Sequence, residues 1–190
     1  MGCNLDWLKG GSSNKNIEVR FLILGLDNSG KTSIMTRMKN EELIAIAPTI
    51  GLNIEHINRN GINITIWDIG GQATMLWRHY YLNAQAIIFV IDLADKERIQ
   101  IAKQELDKIL AEPLLVSCPI LIFGNKQDLA GALTSEELTE AIKFNKIERK
   151  NKIIQLCSAL RKNGIWEGID RLLGYIMSDS QLDTKKVMIN

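Results

Sequence analysis

The stretch "VRFLILGLDNSGKTS", residues 19–33, decides the fold. Its apolar half, part of a strand predicted over 17–24, runs straight into a loop with glycines at both ends and a Lys-Thr pair behind. Gly25 and Gly30 let the backbone curl tightly and bring N–H groups against phosphate oxygens. The spacing GxxxxGK[ST] is met by Gly25, Gly30, Lys31 and Thr32, in the strand-to-helix setting that a phosphate-binding loop requires. Lys31 would neutralise the β- and γ-phosphates, and Thr32 would offer its hydroxyl to Mg²⁺. The nucleotide-binding set in this segment is Gly25, Asp27, Asn28, Ser29, Gly30, Lys31, Thr32 and Ser33. A helix is predicted from about Gly30 to Lys39.

Downstream residues say which nucleotide this is and what happens to it. Asp68 ends a strand in "WDIGGQ", 67–72, where a carboxylate suits a Mg²⁺ partner held through water. Gly71 can bring a backbone N–H against a γ-phosphate, and the Gln72 amide can orient an attacking water. Thr49, in "PTIG", is a second hydroxyl for Mg²⁺. "NKQD", 125–128, follows the apolar run "PILIFG". The Asp128 carboxylate can accept from both the ring N–H and the amino group of guanine; adenine presents an acceptor there and no amino group. Sites built on such buried hydrogen bonds reject the wrong base by about 10⁴-fold or more. The Lys126 stem can cover one base face, and Asn125 can tie this loop to its neighbours. In "CSAL", 157–160, Ser158 belongs to the same site, and the Ala159 N–H can meet the base carbonyl.

Working outward, "LNIEHINRNGINITIWD", 52–68, reads as a hairpin with Asn60-Gly61 at its turn. Ile62, Ile64 and Ile66 alternate with Asn63 and Thr65, so one face is buried. "AIIFVID" (86–92) and "PILIFGN" (119–125) are near-continuous apolar runs, as in parallel strands covered on both faces. "KIIQLC" (152–157) is the last strand. Helices are predicted at 96–111, at 134–144 behind a Thr134/Glu137 capping box, and at 164–178 with Ile165, Ile169, Leu172 and Ile176 on one face. Strand–helix alternation predicts an α/β fold, a mostly parallel six-stranded sheet with helices on both faces. Residues 1–16 read as a short amphipathic segment with Leu5, Trp7 and Leu8, followed by a "GGSSNKN" linker; 179–190 read as a loose tail.

The whole chain of 190 residues, 46% hydrophobic, suits one domain with short tails. A net charge of +1 gives no electrostatic footprint for nucleic acid. Cys3, Cys118 and Cys157 lie far apart, with neither metal spacing nor a disulfide framework, which suits a reducing compartment. No apolar run of the length needed to span a bilayer occurs, and the N-terminus lacks a secretory pattern.

Taken in order, "GLDNSGKT", "PTIG", "WDIGGQ", "LWRHYY", "IFVID", "NKQDL" and "CSAL" make residues 17–178 resemble a small GTPase of the ADP-ribosylation factor (Arf) and Arf-like family. The resemblance implies a P-loop NTPase small G domain that binds GTP or GDP with Mg²⁺ and hydrolyses GTP slowly. Loop 41–52 would be switch I, loop 70–81 switch II, and the hairpin between them would slide in register between nucleotide states. Exchange factors, GTPase-activating proteins and effectors would meet the switches and a patch of Leu52, Trp67 and Tyr80. Residues 41–53 contain no arginine, so an arginine finger is expected in trans.

The family also carries an N-terminal helix, often acylated on Gly2. Here Gly2 is present, Asp6 departs from the usual Ser or Thr of the acylation pattern, and Cys3 is a second candidate for lipidation. A cytoplasmic monomer, peripherally membrane-associated with GTP and serving vesicle traffic, is the family expectation. Two departures stand out. Only Ala73–Leu76 separate Gln72 from Trp77, about two residues fewer than the family pattern, and Leu52 stands where phenylalanine is frequent. The short switch II motivates an alternative, a GTP-bound adaptor that does not hydrolyse. A P-loop kinase or ATPase is disfavoured by "NKQD".

Overall fold

The structure is a computed structural model. It describes residues 17–43, 49, 51–70, 78–82 and 84–187, with the backbone alone from 179. The predicted N-terminal segment with Gly2 and Cys3, and the residues Gly71 and Gln72, lie outside the described residues.

The chain runs β1 (Ile17–Leu24), α1 (Lys31–Met38), β2 (Leu52–Arg59), β3 (Ile62–Ile69), β4 (Ala86–Asp92), α2 (Ile99–Ala111), β5 (Ile120–Asn125), α3 (Ser135–Ala141), β6 (Lys152–Leu156) and α4 (Ile165–Val187). Six strands form one sheet in the order β2-β3-β1-β4-β5-β6. Only the β2–β3 pair is antiparallel. Asn60 and Gly61 take φ of 51° and 82°, the positive values that a tight turn demands, and β2 pairs β3 from Arg59↔Ile62 to Leu52↔Ile69.

The period-2 pattern of β1 builds a core on each face of the sheet. Val19, Phe21 and Ile23 pack with Ile34, Met35 and Met38 of α1 and with Ile165, Ile169, Leu172 and Ile176 of α4. Leu22 and Leu24 turn to the other face, with Ala102, Leu106 and Ile109 of α2 and Leu138 of α3. All six residues of β5 are buried, as a central parallel strand requires. Helices therefore cover both faces, as the sequence pattern predicts.

Two boundaries differ from the sequence reading. The helix predicted at 134–144 breaks after Ala141: Lys143 adopts a left-handed φ of 53° and a short 3₁₀ turn follows. At the other end, α4 does not stop at 178 but continues through the expected loose tail to Val187. Residues 178–187 contain neither glycine nor proline, and Lys185 and Lys186 suit the negative end of a helix dipole.

The capping box forms as its spacing predicts. The Glu137 N–H donates to Thr134 Oγ1 at 3.2 Å, and the Thr134 N–H donates to Glu137 Oε2 at 2.8 Å. Thr134→Ala removes the side-chain acceptor and should lower the unfolding free energy by about 1 kcal/mol, read from the urea midpoint with an unchanged slope.

Candidate functional site

All the chemistry gathers where the parallel strands end at their C-termini, the usual place in an open α/β sheet. β1 leads into the loop at 25–30, β3 ends next to Asp68, β5 ends at Asn125 and β6 leads to Ser158. Each strand end holds one part of the site.

The loop after β1 needs its glycines. Gly25 has φ 143°, and a Cβ there would lie 2.3 Å from the Val90 carbonyl oxygen; Gly30 has φ 93°, and its Cβ would lie 2.2 Å from Asn125 Nδ2. Gly30 is the N-cap of α1 and supplies no side-chain acceptor, so the first-turn N–H groups of α1 face the loop uncapped. Asn28 also sits at positive φ, 59°. Lys31 is buried and folds back over the loop, its Nζ donating to the carbonyls of Gly25 at 3.0 Å and Leu26 at 2.9 Å. Burial pushes its ammonium below the ordinary lysine range, partly opposed by the charges of Asp68 and Asp27. A cation held in this way, beside N–H groups that no side chain caps, has the chemistry to meet an anion such as phosphate.

The second cluster joins three chain segments. Thr32 Oγ1 donates to Asp68 Oδ2 at 2.5 Å, lies 2.7 Å from Thr49 Oγ1, and Thr49 Oγ1 is 3.3 Å from the same carboxylate oxygen. Asp68 is fully buried, and among the described residues its Oδ1 has no hydrogen-bond partner. Burial raises its pKa, and the Thr32 hydrogen bond, the Lys31 charge and the Thr49 hydroxyl each offset part of the rise. One carboxylate with an unused buried oxygen and two hydroxyls form an all-oxygen donor set, which fits a hard cation such as Mg²⁺. Thr32, Thr49 and Asp68, the three residues that the sequence nominates for the metal, are thus brought together. Among the described residues no cluster of three His, Cys, Asp or Glu could hold a metal instead.

The third cluster gathers the residues that the sequence reading assigns to the base. A cleft of about 160 Å³ is lined by Gly30, Ser33, Leu43, Asn125, Lys126, Asp128, Leu129, Ala159 and Leu160. Asn125 is buried and ties the clusters together: its Nδ2 donates to the Ser29 carbonyl at 2.9 Å, and its Oδ1 accepts from the Ala159 N–H at 3.1 Å. Ser158 is buried, and its hydroxyl donates to Asp128 Oδ1. One detail goes beyond the sequence reading: the Ala159 N–H, expected to meet the base carbonyl, is engaged by Asn125. The Lys126 ammonium pairs with Asp92 Oδ2 at 2.6 Å, which anchors the end of the stem expected to cover a base face.

Other parts of the site carry no sequence signal. Arg98 links Asp95, at 2.6 Å, to Asp27 of the phosphate loop, at 2.9 Å, and no spacing rule joins positions 27 and 98. Trp67 and Tyr80 meet edge-on with centroids 5.8 Å apart, and with Leu52 they are half-buried against the α2-side core. The large apolar side chain exposed on this edge is Ile54, opposite Trp67 in the ladder, at 43%.

Comparisons with known proteins agree with this geometry. The family model of the ADP-ribosylation factor family matches residues 8–176. The chain is 43% identical to ADP-ribosylation factor 3 of Arabidopsis thaliana over 167 residues, 87% of this chain and 92% of the relative. It is 39% identical to ADP-ribosylation factor J of Dictyostelium discoideum over 155 residues, 80% and 82% of the two chains. Its fold is similar to the Arl6 BBS3 small GTPase of Trypanosoma brucei with the bound nucleotide analogue GppNp, with a TM-score of 0.79 at 30% identity, covering 85% of this chain and 98% of that one.

The buried Asp68 predicts a pH dependence of the nucleotide-free protein. Its folded-state pKa lies above the ordinary 3.8, so the stability it contributes is full below 3.8 and is lost as pH rises through the folded value. Asp68→Asn should therefore raise the nucleotide-free melting temperature at neutral pH, by about 2–4 °C for an effect of about 1 kcal/mol. The gap should close as the pH falls toward 4, as measured by thermal melts across pH.

Proposed function

The chain belongs to the ADP-ribosylation factor family, and from that premise we propose that it is a guanine-nucleotide switch with slow intrinsic hydrolysis. Small GTPases of this family bind GTP or GDP with Mg²⁺. The observation that carries the reading here is the meeting of Thr49, Thr32 and Asp68, because it ties the loop preceding β2 to the phosphate site.

In this reading Thr32, Thr49 and Asp68 hold Mg²⁺, and Lys31 with the loop N–H groups carries the phosphate charge. Bound there, the metal supplies positive charge that offsets charge developing on the phosphate oxygens. Gly71 contacts the γ-phosphate and Gln72 orients the attacking water. Asp128, oriented by Ser158, reads the guanine edge. The register of the hairpin sets the state. β2 pairs β3 up to Leu52↔Ile69, and the ladder is continued by the Gly70 N–H donating to the Gly51 carbonyl at 2.9 Å. A slide that keeps each side chain on its face moves in steps of two residues, about 7 Å, and would carry Thr49 away from Thr32. This register, with Thr49 at the metal site, is the GTP-like one.

Arg78, the arginine of "LWRHYY", is directed to Glu112, the extended residue that ends α2, with its Nε 3.2 Å from Oε2. That placement supports an arginine supplied in trans by an activating protein. Lipidation of Gly2 or Cys3 and release of the N-terminal segment with GTP would place effector binding at a membrane, in intracellular traffic.

Denaturing the purified protein should release guanine nucleotide; adenine nucleotide would overturn the reading. Intrinsic hydrolysis should be slow and rise about 10³–10⁵-fold with an activating protein that supplies arginine. Gln72→Leu should lose that acceleration while still binding GTP, and equal stimulated rates for both proteins would remove Gln72 from the mechanism. Lipidated full-length protein should bind liposomes more with GTP than with GDP, and deletion of residues 1–12 should abolish binding while sparing exchange.

A further inference from the structure

Arg37 lies in the last turn of α1, the helix whose first turn meets the phosphate loop. Its guanidinium reaches in two directions at once. Nε donates to the Ala159 carbonyl at 2.9 Å, and Nη1 donates to the Glu41 carbonyl at 3.0 Å. Ala159 belongs to the loop after β6, and Glu41 to the root of the loop that leads to Thr49. Both segments line the base cleft, the first through Ala159 and Leu160, the second through Leu43, two positions beyond Glu41. Ala159 is held at both of its polar groups, its N–H by Asn125 and its carbonyl by Arg37.

We propose that Arg37 is a positioning residue for base selection: it sets the distance between the loop after β6 and the root of switch I, and so the width of the slot that takes guanine. A purely local role for Arg37, interacting with the negative end of α1, needs only the nearby Glu41 carbonyl. The bond to Ala159, far away in sequence, is what a local role leaves unexplained. An arginine suits the task because its planar fork offers donors in fixed, divergent directions, whereas a lysine ammonium is a single compact donor group. The eight residues of α1 thus connect three functions along about 12 Å: phosphate binding at Lys31, the metal site at Thr32 and base selection at Arg37. The proposal rests on the guanine-nucleotide reading of the cleft.

Three nucleotides separate the contacts. GDP is the reference. IDP lacks the 2-amino group that Asp128 is assigned to read. 6-Thio-GDP keeps the N–H and amino groups and replaces the carbonyl oxygen with a larger, weaker acceptor, so it reads the width of the slot beside the loop that Arg37 holds rather than the Ala159 N–H that Asn125 engages. Dissociation rates are measured with the full chain and Mg²⁺, for the wild type, Arg37→Ala and Arg37→Lys. The wild type should release both analogues faster than GDP. Arg37→Ala should release GDP about tenfold faster, the equivalent of about 1.4 kcal/mol. Its 6-thio-GDP to GDP ratio should fall toward one while its IDP to GDP ratio stays at the wild-type value. Arg37→Lys should fall between the two.

Equal acceleration of all three nucleotides, with both ratios preserved, would mean general loosening and overturn the proposal; unchanged release would do the same. If Arg37→Ala does not fold by thermal melting, Arg37→Lys carries the test, and its 6-thio-GDP ratio must still fall. A wild type with no preference for GDP over ADP would defeat the guanine reading itself. A wild type that prefers GDP, beside an Arg37→Ala protein with unchanged ratios, defeats only the role of Arg37.

Discussion

A carboxylate buried without solvent is what the rest of the site must answer to. Asp68 closes β3 with no exposed surface, and an isolated charge in such a place costs several kcal/mol. The fold meets that cost with partners from elsewhere in the chain: the Thr32 hydroxyl at the start of α1, the Thr49 hydroxyl from the loop before β2, and the charge of Lys31. Among the described residues Oδ1 still has no partner. In the metal-site reading proposed above, that oxygen is where an arriving cation would be met. Gly70 fits the same logic, since a Cβ there would lie 2.6 Å from the Thr49 carbonyl and push the loop off the cluster.

The base side is organised in the opposite way, with polar groups closed on one another. Asn125 bridges the phosphate loop and the loop after β6, Ser158 fixes Asp128, and Ser158 is itself tied to Asn163 by paired backbone hydrogen bonds of 3.0 and 3.3 Å. Cys157 packs beneath, and burial pushes its thiol far above the ordinary range, so it behaves as a small apolar side chain. In the guanine reading proposed above, a preorganised pocket of this kind would select by leaving the wrong base with unmet polar groups. The Asp68 side leaves a buried polar atom without a partner among the described residues, whereas the Asn125 side closes its polar groups on one another.

The hairpin lies between these behaviours. β2 is an edge strand whose sheet contacts are with β3 alone, and most of its residues are partly or fully exposed. Beyond β3, Ile57 enters the core under α1 and α4 and Leu52 packs on the opposite face, and the remaining attachments are polar. Lys39 pairs with Glu55 at 3.0 Å. Arg59 pairs with both oxygens of Asp170, at 3.1 and 2.7 Å, while stacking 4.2 Å from the Trp166 ring centroid. Half-exposed ion pairs and cation–π contacts are each worth about 1 kcal/mol or less. The central strands are instead held by apolar burial, complete over residues 21–24 of β1, 86–91 of β4 and all of β5. β2, which follows the Thr49 loop, is thus the strand of the sheet with the least apolar burial and with several polar attachments.

The sequence by itself determined the strand order of events along the chain, the phosphate loop, the hairpin turn and the capping box. Each depends on residues within a few positions of one another, where backbone sterics and side-chain periodicity leave little freedom. Asn60-Gly61 needs positive φ, Gly25 and Gly30 need the absence of a Cβ, and Thr134 with Glu137 needs only one turn of helix. The motifs also named the residues of the metal and base clusters. What they could not supply were the partners: that Asn125 holds the Ala159 N–H, that Asp92 pairs with the Lys126 ammonium, that Arg98 grips Asp27, or that Arg37 reaches Ala159. Those pairings join residues tens of positions or more apart. They exist only because the parallel strands bring their C-terminal ends together, and packing of the sheet between two helical layers, not local propensity, fixes that proximity.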